Sequence, residues 1–181
     1  MRTEMAAMLA VACVTGTFAQ SPAPQTERLS RETTSFDLVV HLPLAQAAAL
    51  FGPLGERAWA GGHWNPKFIY PLPAHDEQGA VFSIQHGPYT ATWVSTIFDI
   101  DARHFQYVYF IPGLMVTTID VRFKPLNEKT TGVNVTYTRT SIAPEGNEHV
   151  AAMSEGDKNA GVEWQQAIDA YLAKINPAPK Q

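Results

Sequence analysis

The sequence predicts an α+β domain in which a strongly curved antiparallel sheet of about seven strands wraps one long C-terminal helix, with two short helices after the first strand. Three observations carry this. From Lys67 to Ile142 the chain is a run of strand-like segments joined by tight turns, with no helix-length segment between them, which suits a meander rather than parallel βαβ units. A long stretch with helical periodicity closes the chain. Before the sheet, Gly55–Pro66 packs Trp59, His63 and Trp64 into a connection broken by Gly61-Gly62 and closed by Asn65-Pro66. Large aromatics on a Gly/Pro-rich connection usually cover something apolar.

The N-terminus reads as an export signal. Arg2 supplies a thin positive region, partly offset by Glu4, Ala6 to Ala12 is apolar, and Thr17-Phe18-Ala19 fits a small-x-Ala cleavage site. The apolar run is shorter than the about 20 residues that span a bilayer, and no other segment approaches that length, so no stable membrane span is expected. Residues 1–19 are thus expected to be a signal peptide, 20–32 a flexible polar lead, 33–175 one domain, and 176–181 a fraying tail with two prolines. The expected location is periplasmic or secreted. Cys13 is the only cysteine; simple cleavage after Ala19 removes it, and a lipid anchor through Cys13 is the alternative.

Phe36–Leu42 alternates as a strand should. Pro43 then starts a helix, where its missing N–H costs nothing, with Leu44, Ala47, Ala48 and Phe51 as its buried stripe. Gly52-Pro53 ends it, and a second short helix runs from about Leu54 to Ala60. Strands follow at Lys67–Leu72, Ala80–His86, Tyr89–Ile100, His104–Ile111, Leu114–Lys124 and Gly132–Ile142. Trp164, Ile168, Leu172 and Ile175, with Tyr171, mark one face of a helix over Ser154–Ile175. Gly156 and Gly161 weaken that helix by about 1 kcal/mol each relative to Ala, or permit close approach to a neighbour.

A net charge of −4 without any Lys/Arg run argues against nucleic-acid binding. Among His41, His63, His75, His86, His104 and His149 there is no HxH, HExxH or paired-Cys spacing, so neither a metal nor another cofactor is expected. There is no G-x-S-x-G and no catalytic motif of any other kind. Glu56, early in the second short helix, is expected to complement the helix dipole or cap the turn rather than donate protons.

The element order, Gly55-Glu56-Arg57-x-Trp59, Trp64-Asn65-Pro66 and the face formed by Trp164, Ile168, Tyr171 and Leu172 together resemble the START/birch-pollen-allergen superfamily, also called SRPBCC. The likeness extends from about Thr33 to Ile175 and is greatest to bacterial polyketide cyclase/dehydrase-like members. It implies a helix-grip fold. Members of that superfamily include lipid and sterol carriers, hormone receptors and cyclases; they share no catalytic motif, so no catalytic residue carries over. Function read from fold is analogy.

Strand parity proposes what faces inward: Phe82, Ile84 and His86; Trp93; Phe105, Tyr107 and Tyr109; Met115, Thr117, Ile119, Val121 and Phe123; Val133, Val135 and Tyr137. Such an aromatic set fits a ligand cavity as well as a packed core, and the resemblance favours the cavity. The candidate ligand-binding residues are Trp59, His63, Trp64, Phe68, Phe82, His86, Trp93, Tyr107, Tyr109, Met115, Tyr137, Arg139 and Trp164. Arg139 shares the inward parity and could hold a ligand carboxylate bidentately. The commoner fate of such an arginine is the strand's open end, with its charge in solvent. His63 could serve as a polar handle or gate, although a plain turn residue is the blander reading. The expected function is an exported protein that holds a small hydrophobic or amphipathic molecule. The alternatives are a cyclase- or hydrolase-like enzyme using pocket Tyr, His or Arg, and a cell-envelope interaction module with a closed core.

Overall fold

A computed structural model describes residues 28–176. The expected signal peptide, Cys13, most of the lead and the tail beyond Asn176 lie outside the described residues.

Seven antiparallel strands form one sheet: β1 (Arg31–Val40), β2 (Lys67–Tyr70), β3 (Val81–His86), β4 (Tyr89–Asp99), β5 (His104–Ile111), β6 (Met115–Asn127) and β7 (Thr130–Ser141). Their spatial order is β1-β7-β6-β5-β4-β3-β2. Strands β2 to β7 are a meander, and β1 closes onto β7, with Phe36 opposite Val135 and Leu38 opposite Val133. The expected curved sheet of seven strands, two short helical segments and one long helix is the architecture observed.

Strand β1 begins at Arg31, two residues inside the expected flexible lead, because Arg31 and Glu32 pair with Thr140 and Arg139 of β7. Helix α1 (Leu44–Ala48) has Pro43 at its N-cap rather than within its first turn, and it tightens into a 3-10 turn over Ala49–Phe51. The second short helix is only a 3-10 turn, Gly55–Ala58.

Helix α2 spans Gly146–Ile175, eight residues longer at its start than the pattern of apolar residues implied. Its early turns contribute few large apolar residues, yet Val150 is fully buried. The helix runs unbroken through both internal glycines. At Gly161 a Cβ would lie 3.0 Å from the Cβ of Phe36, so the missing side chain is what lets α2 approach β1. At Gly156 a Cβ would meet nothing within 4 Å. Ile168 is fully buried and Trp164, Tyr171 and Leu172 pack on the core, but Ile175 is exposed, so the expected helix face ends one turn early.

Alternation places the core. In β7 every second residue from Thr131 to Ser141 is buried, and in β6 the same holds from Met115 to Phe123. Fully enclosed Phe51, Phe82, Phe105, Met115, Val135 and Ile168 anchor it. Each such side chain stabilises the fold by roughly 1.5–3 kcal/mol through area removed from water.

Candidate functional site: an aromatic cavity

The inward face of the sheet does not pack solidly onto α2. A cavity of about 330 Å³ remains between the sheet, α2 and the connection Pro53–Trp64. Its volume falls at the lower end of the usual range for small-molecule sites, roughly 300–1,000 Å³. The closed-core alternative therefore does not describe this interior.

Three elements build the walls. From the sheet come Phe82, His86, Trp93, Tyr107, Tyr109, Ile119, Val121, Tyr137 and Arg139. From α2 come Met153, Glu163, Trp164 and Ala167, and from the connection Pro53, Glu56, Trp59, Ala60, His63 and Trp64. The connection is pinned like a cover. The Trp59 indole N–H donates to the Leu50 carbonyl at 2.7 Å, the Trp64 indole N–H donates to the Pro53 carbonyl at 2.8 Å, and Arg57 donates to the Pro66 carbonyl. The Asp76 carboxylate accepts from the Leu54 backbone N–H at 2.9 Å. Gly61, at φ 84°, supplies the left-handed residue that turns the cover back toward the sheet. His63 is exposed at the cover and Glu163 is exposed on α2, so the mouth lies between them.

One wall is a ladder of parallel rings. Phe68 stacks on Phe82, Phe82 on Trp93, and Trp93 on Tyr109 at 4.4 Å between centroids; His86 stacks on both Trp93 and Tyr109. The opposite wall is edge-to-face, with Trp59 against Trp164 at 5.1 Å. These geometries suit the ring quadrupoles and hold the walls apart as rigid plates.

Of the thirteen candidate residues, eleven line this cavity. Two do not. Phe68 stacks on Phe82, while Met115, the first residue of β6, is fully buried in the core. The parity of Met115 was right, but parity gives a face and not a distance along the strand.

The polar groups differ most from expectation. Arg139 is not at an open strand end reaching solvent: it is 4% exposed. The carboxylate it holds bidentately is the protein's own. Its Nε and Nη2 donate to Asp157 of α2 at 2.7 and 2.6 Å. Its Nη1 donates to the Tyr109 hydroxyl, and its guanidinium lies 4.6 Å from the Tyr137 ring centroid. Burial pulls the arginine pKa down, but the hydrogen bonds to Asp157 and the neighbouring charges outweigh it and raise the pKa, so Arg139 stays charged. Asp157 was not identified from the sequence.

Glu56 was expected to cap or complement a helix, and that expectation is overturned. It is 7% exposed, it faces the cavity, and among the described residues no hydrogen bond or ion pair reaches its carboxyl. Burial, and then the charge of Asp76, push its pKa well above the ordinary 4.5. The capping role belongs to Asp76 instead. Burial, with Arg139 and His63, lowers the pKa of His86, which keeps the ring neutral. Among the described residues, His86 Nε2 and Trp93 Nε1 are also buried without a hydrogen-bond partner. Native proteins rarely leave such groups unpaired, and two beside the Glu56 carboxyl around one cavity mark it as more than a packing defect.

No protein-family model matches this chain, and no curated protein sequence does. Solved structures do match. Norcoclaurine synthase from Thalictrum flavum, in complex with dopamine and hydroxybenzaldehyde, has a TM-score of 0.59 at 10% identity, over 88% of this chain and all of that one. The Zhui aromatase/cyclase from Streptomyces sp. R1128 has 0.58 at 15% identity, over 84% and 100%. The protein XoxI from Bacillus cereus has 0.55 at 15% identity, over 80% and 98%. These likenesses show the helix-grip fold, the fold expected from the resemblance.

Proposed function

We propose that this chain binds a small hydrophobic or amphipathic molecule inside the aromatic cavity, and that it is an exported, polyketide cyclase-like relative within the helix-grip superfamily. The observation that carries the binding reading is the cavity itself: about 330 Å³, walled by rigid aromatic plates and holding unpartnered polar groups. An engineered apolar cavity of about 150 Å³ takes one benzene, so a body of one or two rings fits here. Solved structures with this fold include a synthase bound to two aromatic molecules and an aromatase/cyclase, which is consistent with such a cargo. Native mass spectrometry and organic extraction of the purified protein test it. A co-purifying small molecule supports the reading; a protein that stays empty and binds no aromatic probe refutes it. The export reading rests on Arg2, the apolar run and Thr17-Phe18-Ala19. Mass spectrometry of the exported chain should find a mature start at Gln20, and a lipid-modified start at Cys13 would replace that reading.

A second reading, a cyclase- or hydrolase-like enzyme, is favoured by one observation. Burial raises the pKa of the Glu56 carboxyl well above 4.5 and lowers that of His86 around the same cavity, which brings an acid and a base toward each other in the manner of groups that exchange protons. Loss of turnover in both Glu56→Gln and His86→Phe, with binding retained, would distinguish it from simple carriage.

A further inference from the structure

Among the described residues that line the cavity, Arg139 is the one buried cation, and it is satisfied. Two nitrogens of Arg139 hold the two oxygens of Asp157, and the third reaches the Tyr109 hydroxyl. A ligand carboxylate would have to displace Asp157, leaving one carboxylate unpaired in either case. The acidic groups are placed differently. Glu56 is buried on the cavity wall with no hydrogen-bond partner among the described residues, Glu163 stands at the mouth, and Asp76, which accepts from the Leu54 N–H, is close enough to Glu56 to repel its charge. Trp59, at the C-cap of the turn that carries Glu56, and Tyr137 line the same cavity. Aromatic faces and a carboxylate are the two chemistries that attract an organic cation, and both strengthen when water is excluded.

We infer that the cavity selects a ligand carrying a protonated amine on an apolar body of one or two rings, with the ammonium seated against Glu56. This rests on the binding reading and deepens it. A proton held on the Glu56 carboxyl leaves on binding, to solvent if the amine arrives charged and to the amine nitrogen if it arrives neutral, and the product is one ammonium–carboxylate pair inside the aromatic walls. Arg139 and Asp157 remain paired throughout.

Isothermal titration calorimetry with three probes of one shape tests this: naphthylmethylamine, naphthylmethanol and naphthoate. The amine should bind about tenfold or more tightly than the alcohol, as expected for a hydrogen bond to a charged partner, and naphthoate should bind least. Glu56→Gln, which keeps the shape and removes the charge, should abolish the amine's advantage while leaving the alcohol within about twofold, the retained alcohol showing that the cavity is intact. If the alcohol binds but the amine has no advantage, or if the advantage survives Glu56→Gln, the amine inference is overturned and the cavity reading stands. If naphthoate binds most tightly, Arg139 is the ligand's partner after all and the inference is again overturned. If none of the three binds, the binding reading falls and takes this inference with it.

Discussion

Replacing Arg139 by Met should strongly destabilise the domain, and the structure says by how much. The substitution keeps an unbranched apolar stem but removes, besides the contact with Tyr109, two hydrogen bonds, at 2.7 and 2.6 Å, to the Asp157 carboxylate. Bonds to charged groups contribute roughly 1.5–3 kcal/mol each, which gives about 3–6 kcal/mol. The usual cost of breaking one side of a buried ion pair, about 3–5 kcal/mol, agrees with that sum. The reason is Asp157: at 7% exposed it is left without its hydrogen-bonding partner and with little access to water. Whole domains are stable by only about 5–15 kcal/mol, so this is a large fraction. Urea denaturation followed by circular dichroism should move the midpoint down by on the order of 2 M, given slopes of about 1–3 kcal/mol per M. The double variant Arg139→Met with Asp157→Leu should recover at least half of the loss, because no buried charge then remains. A single variant within about 1 kcal/mol of the native protein would refute this reasoning, as would a double variant no more stable than the single.

Glu56 gives the opposite kind of prediction. Its pKa is raised on folding, so the folded state holds a proton that the unfolded chain releases, and stability falls as pH rises above the unfolded value of 4.5. Glu56→Gln abolishes that dependence, so thermal melts of variant and native protein should diverge as pH rises above 4.5, by at most about 1.4 kcal/mol per pH unit and in favour of the variant. Asp76, also raised, and His86, lowered, titrate in both proteins, so the difference between them reports Glu56; parallel curves would refute its buried protonated state. In α2 the two glycines should part company. Gly156→Ala enters open space and should add up to about 1 kcal/mol of stability, whereas Gly161→Ala meets the Cβ of Phe36 at 3.0 Å and should gain less or lose. Chemical denaturation of both variants measures the contrast, and equal gains would show that α2 does not press on β1 there.

The sheet was legible because its inner and outer faces differ in composition. Phe105, Tyr107 and Tyr109 alternate with His104 and Gln106, and Val133, Val135 and Tyr137 with Asn134, Thr136 and Thr138; each of these inward side chains is buried. The polar heart of the site was not legible, for two physical reasons. The depth of Arg139 depends on Asp157, which lies in the part of α2 just past Ser154, beyond the reach of any local period. The burial of Glu56 depends on how the connection ends. The 3-10 turn stops at Ala58, Trp59 leaves it at φ −132°, and its indole N–H reaches the Leu50 carbonyl, which folds this segment over the cavity. A sequence pattern can propose a short helix there, but it does not specify how that helix ends.

The two polar clusters divide the work of keeping a cavity in a small domain. An apolar void of this size would ordinarily be closed by side chains collapsing into it, since unfilled volume is destabilising. Here the Arg139–Asp157 bridge ties β7 to α2, Gly161 lets the same helix come against Phe36 on β1, and the stacked rings of His86, Trp93 and Tyr109 make one wall of the cavity stiff. Because the bridge satisfies its own charges, it offers nothing to a ligand. Glu56, on the cover and without a partner, is left as the group whose charge state a bound molecule can change. Structural charge and recognising charge therefore sit on different elements, and each can be altered without removing the other.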